Sequence, residues 1–265
     1  MSVQPIDAKA IAEQLDAAWR NSAPIEPLSE SQGLSKVEDA YAIQTHWTQM
    51  RLDRGEKIAG RKIGLTSIAI QQQLGVSEPD YGTIWQSSHY ATVNNRVEIP
   101  AGDFLQPRLE AEVAFLIGRP LQGPHITPQE VLAATDAMGV VVEIVASRIA
   151  DWRIKLVDTI ADNASYGGFV LGQWNSNLRN ADLRTLGFTV HKNGELAAEG
   201  VGAAAMGHPA LSVAWLANKL HQFNINLQPG DVILSGGVTK MLPVAAGDSF
   251  TFNMTGQPSL ALRFV

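Results

Sequence analysis

Gln106-Pro107-Arg108-Leu109-Glu110-Ala111-Glu112-Val113-Ala114-Phe115-Leu116-Ile117 reads as an apolar strand that carries two carboxylates. Alternate side chains of a strand share a face, so Glu110 and Glu112 project together while Leu109, Ala111, Val113 and Phe115 point the other way. At a separation of about 4 Å and an effective dielectric near 20, two such charges repel by about 4 kcal/mol. An apolar neighbourhood makes the pairing worse. A divalent cation is the obvious compensation.

The chain around this strand has 265 residues, 45% of them hydrophobic, enough for one large domain or two modest ones with a substantial core. A net charge of −6 and the lack of a Lys/Arg cluster argue against nucleic acid as a partner. The N-terminal residues show no basic leader followed by an apolar run, and no stretch approaches the length of a membrane span. There is no Cys, which excludes disulfides, thiolate catalysis and Cys-based metal sites. These features lead us to expect a cytoplasmic protein.

Working outward, Asp7 caps a helix with Ile11, Leu15 and Ala18 at helical spacing, and Ser35-Lys36-Val37-Glu38 reads as a capping box that opens a second helix through about Arg54. Ile58 to Thr66 is a short strand, Ile68 to Leu74 a short helix, and Val76 to Gly82 a turn-rich loop. Strands are expected at 95–99, 139–146, 167–171, 231–235, 248–253 and 259–264. Thr127-Pro128-Gln129-Glu130 is a helix start, Asn193-Gly194 a hairpin turn, and a helix follows His208-Pro209. From 151 to 163 the pattern is less clear. Helices first, then a mostly β body, argue an α+β fold: an N-terminal helical region (1–66) packed on a β-rich catalytic domain (67–265).

Glu143 is the single carboxylate in the β-branched run Gly139 to Ala146, and with Glu110 and Glu112 it makes the sharpest candidate set. Three carboxylates plus waters suit Mg²⁺ or Mn²⁺. The competing reading puts Glu110 and Glu112 on the wet face of an edge strand and pairs Glu143 with an arginine such as Arg148. Lys62, between Gly60 and Gly64, could bind an anion, polarise a carbonyl or act as an acid if its pKa is depressed. A snorkelling surface lysine is the commoner outcome. Asp158, Asp162, Asn163 and Ser165 could support a ligand or simply cap a helix, and His208 fits a structural turn. No Walker loop, GxGxxG fingerprint or Gly-x-Ser-x-Gly elbow is present.

Taken in order, Gly60-Arg61-Lys62-Ile63-Gly64-Leu65-Thr66, Glu78-Pro79-Asp80-Tyr81-Gly82, the strand quoted above, Val142 to Arg148, Asp158 to Ser165 and Gly207-His208-Pro209 resemble the 2-hydroxypentadienoate (2-oxopent-4-enoate) hydratases. These belong to the fumarylacetoacetate-hydrolase-like superfamily. The resemblance implies a mixed β-roll with a small helical N-terminal region. It implies Mg²⁺ or Mn²⁺ on Glu110, Glu112 and Glu143, and a substrate pocket lined by Lys62, Leu65, Asp80, Asp162 and Ser165. Lys62, Asp80 and Asp162 are its catalytic candidates.

The implied reaction adds water to a 2-hydroxy-2,4-dienoate, or its 2-oxo tautomer, in the meta-cleavage breakdown of aromatic rings. The implied assembly is a homo-oligomer that can meet a pathway decarboxylase. Two alternatives stay open. Ala181 to Gly187 and Gly236 to Thr239 resemble the 4-oxalocrotonate (2-oxo-3-hexenedioate) decarboxylases, and the chain could be a non-catalytic partner subunit of a hydratase–decarboxylase complex.

Overall fold

The computed structural model describes residues 6–67, 71, 76 and 78–265. Three helices come first: α1 (Ala8–Arg20), the single turn α2 (Leu28–Ser31) and α3 (Val37–Asp53). Asp7 caps α1 by accepting from the Ala10 amide. The capping box expected at Ser35 does not form, because α3 begins one residue later, with Lys36 at the cap position and no side-chain cap bond. Glu38 and Asp39 in its first turn complement the helix dipole instead. The helix expected over 68–74 lies almost wholly outside the described residues.

α1 is tied to α3 through a buried charge. The Asp16 carboxylate, 2% exposed, accepts from Trp47 Nε1 and from both terminal nitrogens of Arg54, and also pairs with Arg20. Burial alone would push its pKa up, but the bonds from Arg54 and Trp47 outweigh burial and hold it below the ordinary value. A depressed folded pKa means that this stability is present above the unfolded value, near 4, and is lost as pH falls through the folded value. Asp16→Asn should therefore cost about 2 kcal/mol at pH 7 and much less below pH 3, read by thermal unfolding across pH.

The body contains two sheets. The larger runs β2 (Asp80–Trp85), β1 (Ile58–Gly64), β9 (Val232–Leu234), β4 (Arg108–Ile117), β5 (Thr135–Val145), β6 (Tyr166–Leu171), with β10 (Leu242–Pro243) added alongside β4. The smaller runs β3 (Arg96–Ile99), β12 (Leu260–Phe264), β11 (Ser249–Met254), β7 (Gly187–Lys192), β8 (Glu195–Val201). β1, which a division at residue 66 would assign to the N-terminal region, pairs with both β2 and β9 inside the larger sheet. Later in the sequence, the described residues also form the α-helices α4 (Pro128–Ala134), α5 (Leu156–Ala161) and α6 (Pro209–His221). Thr127 and Glu130 form the expected capping box on α4. His208 caps α6 by accepting from the Ala210 amide, which is the structural role anticipated for it.

β4 is a central strand, not an edge. One face places Leu109, Ala111, Val113 and Phe115 in the main core, which continues through Val140 and Ile144 of β5 to Phe250 and Phe252 of the smaller sheet. The opposite face carries a second apolar cluster that includes Ala114, Val141, Phe169 and Leu234. Strand periodicity puts Glu110 and Glu112 on that second face, at one end of the cluster. Glu112 is thus enclosed away from water, while Glu110 is half-buried at the edge of a cavity.

Candidate active site

Antiparallel register sets Glu110 directly opposite Glu143, with Glu112 opposite Val141. Two carboxylates from β4 and one from β5 therefore converge, and one oxygen from each lies within 4.8 Å of the others. Glu112 and Glu143 are fully buried. Among the described residues, neither Glu112 Oε1 nor Glu143 Oε2 has a hydrogen-bond partner. Glu112 Oε2 accepts from the Gly236 amide at 2.6 Å. Gly237 lies so close that a Cβ there would sit 2.8 Å from the Glu110 carboxyl carbon, so a larger residue would push the Glu110 carboxylate out of its present place.

Without a cation the cluster is unfavourable. Burial, together with Glu143, pushes Glu110 up to about 7. Burial followed by Glu143 and Glu110 raises Glu112 well above the carboxylate range, and burial raises Glu143 despite Lys62. Orphaned oxygens and mutual repulsion are what a divalent ion with oxygen ligands relieves. The donor set fits a hard cation.

Lys62, on β1, is 3% exposed, so the surface reading fails for it. Its ammonium lies 3.1 Å from Glu143 Oε1 and donates to the Ala164 carbonyl at 2.9 Å. Burial disfavours the charge, but Glu143, Asp80, Glu110 and Glu112 more than offset it and raise the pKa. Of the three roles open to Lys62, the raised pKa favours binding an anion or polarising a carbonyl over acting as an acid through a depressed pKa. Asp80 faces Gly64 across the β1–β2 pair, is 1% exposed and leaves Oδ1 without a partner among the described residues. Burial pushes it up to about 6 despite the attraction of Lys62.

Asp162 is placed differently. Its carboxylate pairs with Arg148 at 2.6 Å and also accepts from the Arg148 amide and from Ser147 Oγ. Arg148 therefore serves Asp162, not Glu143, and Asp162 does not reach the pocket wall. Its neighbour Ser165 does, with Lys62, Leu65 and Asp80, in a cavity of about 90 Å³ that opens beside Glu110. Asp158 is taken up in capping, accepting from the Lys155 amide and from the amide and hydroxyl of Ser29.

Asn163 is a residue that spacing alone undervalues. Asn163, Ala164 and Ser165 are all left-handed, at φ 53°, 52° and 52°, a run that L residues adopt only under constraint. The constraint is a two-way clamp: Asn163 Oδ1 accepts from the Thr83 amide and Nδ2 donates to the Thr83 carbonyl. Gly82 permits the contact, since a Cβ there would come within 2.5 Å of the Asn163 carbonyl. The clamp fixes both the Ala164 carbonyl that holds Lys62 and the Ser165 hydroxyl. Asn163→Gly keeps the backbone freedom but removes the clamp; it should cost about 2 kcal/mol in thermal unfolding and lower kcat/KM about tenfold or more.

Residues 57–265 match the family described as fumarylacetoacetate (FAA) hydrolase, C-terminal. The chain belongs to the fumarylacetoacetate hydrolase family. Within this family it is 42% identical over 252 residues to the 2-hydroxyhexa-2,4-dienoate hydratase of Comamonas testosteroni, covering 95% of each chain. It is equally 42% identical to the 2-keto-4-pentenoate hydratase of Paraburkholderia xenovorans, over 98% of this chain and 96% of that one. Among solved structures, the 4-oxalocrotonate decarboxylase of Pseudomonas putida, complexed with magnesium and adipate, superposes with a TM-score of 0.93 at 35% identity over 97% of each chain. The fold shared with that decarboxylase thus accounts for both sheets.

Proposed function

We propose that the protein is a metal-dependent hydratase that converts a 2-hydroxy-2,4-dienoate into a 4-hydroxy-2-oxo acid. The observation that carries this reading is the buried Glu110–Glu112–Glu143 cluster with Lys62 held beside it, in a chain similar over nearly its whole length to hydratases. Mg²⁺ or Mn²⁺ bound by the three glutamates would supply Lewis-acid stabilisation of the negative charge that develops at the C2 oxygen.

Lys62 contributes a permanent positive charge that orients the acid end of the substrate and stays protonated throughout. Asp80 carries protons: it takes one from the 2-hydroxyl and delivers one to C5, leaving the 2-oxo-3-enoate. Water then bonds to C4 while C3 gains a proton, so the sum is one water added. A carboxyl group tuned to about 6 can give and take protons near neutral pH. Ser165 offers a hydroxyl to the substrate, and Asp162 keeps that turn in place through Arg148 and Ser147.

The same chemistry at C2 would serve decarboxylation, and the similarity to the 4-oxalocrotonate decarboxylase keeps that second reading in play. Incubation with freshly generated 2-hydroxypenta-2,4-dienoate and with 2-oxo-3-hexenedioate separates the two. Hydrated product, lost on chelation and restored by Mg²⁺ or Mn²⁺, is the expected result. Dominant CO₂ release overturns the hydratase reading, and inactivity with both compounds favours a non-catalytic partner subunit. The proposal includes a cytoplasmic setting in meta-cleavage catabolism and a homo-oligomer able to meet a pathway decarboxylase, which light scattering of the purified protein tests.

A further inference from the structure

Much of the pocket lining is hydrocarbon. Leu65, Val145, Trp152, Ile154, Leu156 and Met241 line the cavity, with Lys62, Asp80 and Glu110 as its buried or half-buried charges and Thr159 and Ser165 as its hydroxyls. One further cation, Lys155, joins the lining, and the residue is solvent-exposed. Arg108 is not part of the wall; its guanidinium lies over the Trp152 ring, 4.2 Å from the centroid. Residues 68–70, 72–75 and 77, whatever their position, include no Lys, Arg or His.

We infer that the site selects substrates whose far end is an uncharged hydrocarbon tail and discriminates against a second carboxylate. The inference rests on the hydratase reading only for the chemistry of the acid end. A methyl or ethyl tail gains by leaving water for Trp152, Ile154 and Leu156. A tail ending in a carboxylate must shed its hydration against the same wall with no buried cation to receive it. Lys155, exposed to water, returns little of that loss.

The magnesium-loaded protein tests this in two ways. In turnover, kcat/KM should be about tenfold higher for 2-hydroxyhexa-2,4-dienoate than for its ω-carboxylate, 2-hydroxyhexa-2,4-dienedioate. In calorimetric binding, which needs no reaction, 2-oxohexanoate should bind about tenfold more tightly than 2-oxohexanedioate. Leu156→Arg, which puts a cation on the wall, should narrow or reverse both preferences. Equal or tighter binding of the diacid by the unaltered protein overturns the inference, as does loss of diacid binding on Lys155→Ala. Binding that favours 2-oxohexanoate without hydration of either dienoate upholds it and overturns the hydratase reading instead. Failure of both acids to bind overturns both.

Discussion

Glu112→Gln is expected to raise the melting temperature of the metal-free protein while lowering kcat/KM by about two to three orders of magnitude. Glu112 sits in hydrocarbon against two other carboxylates, so its charge is a liability until a cation arrives. Glutamine keeps the shape and still accepts from the Gly236 amide. The gain should be on the order of 1 kcal/mol, because part of the repulsion is already relieved by protonation. The unaltered protein should show a matching pH dependence. Glu110 and Asp80 have folded pKa values raised to about 7 and about 6. A raised folded pKa gives stability that is whole below the unfolded value and lost as pH rises through the folded one. Metal-free melting temperature should therefore fall between about pH 4 and 7, and saturating Mg²⁺ should flatten the slope. Calorimetry with and without chelator reads all of this; a drop in metal-free stability on Glu112→Gln, or retained turnover, sinks the account.

Lys62→Met should do the reverse to stability and similar damage to activity. Removing the ammonium leaves Glu143 and the Ala164 carbonyl without their buried donor. Breaking a buried ion pair from one side costs about 3 to 5 kcal/mol, and the neighbouring Glu110, Glu112 and Asp80 make the remaining charge harder to hold. kcat/KM should fall about 10² to 10³-fold. Since a divalent ion neutralises the same carboxylates, Mg²⁺ should raise the melting temperature of Lys62→Met by more than it raises that of the unaltered protein. An equal or smaller rise would show that Lys62 and the cation do not share a charge balance.

The opposite signs of these two effects arise from features that differ in how plainly the sequence declares them. Glu110 and Glu112 were legible because strand alternation is local and the run around them is apolar. Glu143 was legible as an isolated carboxylate in a buried strand, but its position opposite Glu110 depends on register between strands, which no local pattern encodes. Asp80 pointed to the pocket only through the family resemblance, and Lys62 was a candidate that its context left weaker than the surface reading, since a lone lysine is ordinarily exposed and its raised pKa is a property of the assembled charges. Asp162 shows the limit: its motif suggested proton transfer, while the nearby Arg148 occupies it. Asn163 hid for a different reason. Its clamp on Thr83 joins segments far apart in the chain, and left-handed conformations leave little trace in composition when Asn, Ala and Ser supply them. The α3 cap was misplaced by one residue, as a Ser three before a Glu can be followed by an acidic residue that serves equally well.

The place of β9 in the larger sheet has a consequence for how the protein comes into being. β1, which carries Lys62, and β4, which carries two of the glutamates, do not pair with each other; β9 lies between them and bonds to both. That strand and the glycines that close over Glu110 and Glu112 leave the ribosome after β1, β4 and β5. A nascent protein can form the β4–β5 hairpin early, with its glutamates still open to water, but it cannot bring the lysine to them. The centre is thus assembled only when β9 joins β1 across more than 160 intervening residues, a step that is slow by topology and leaves chains that stop before β9 catalytically silent.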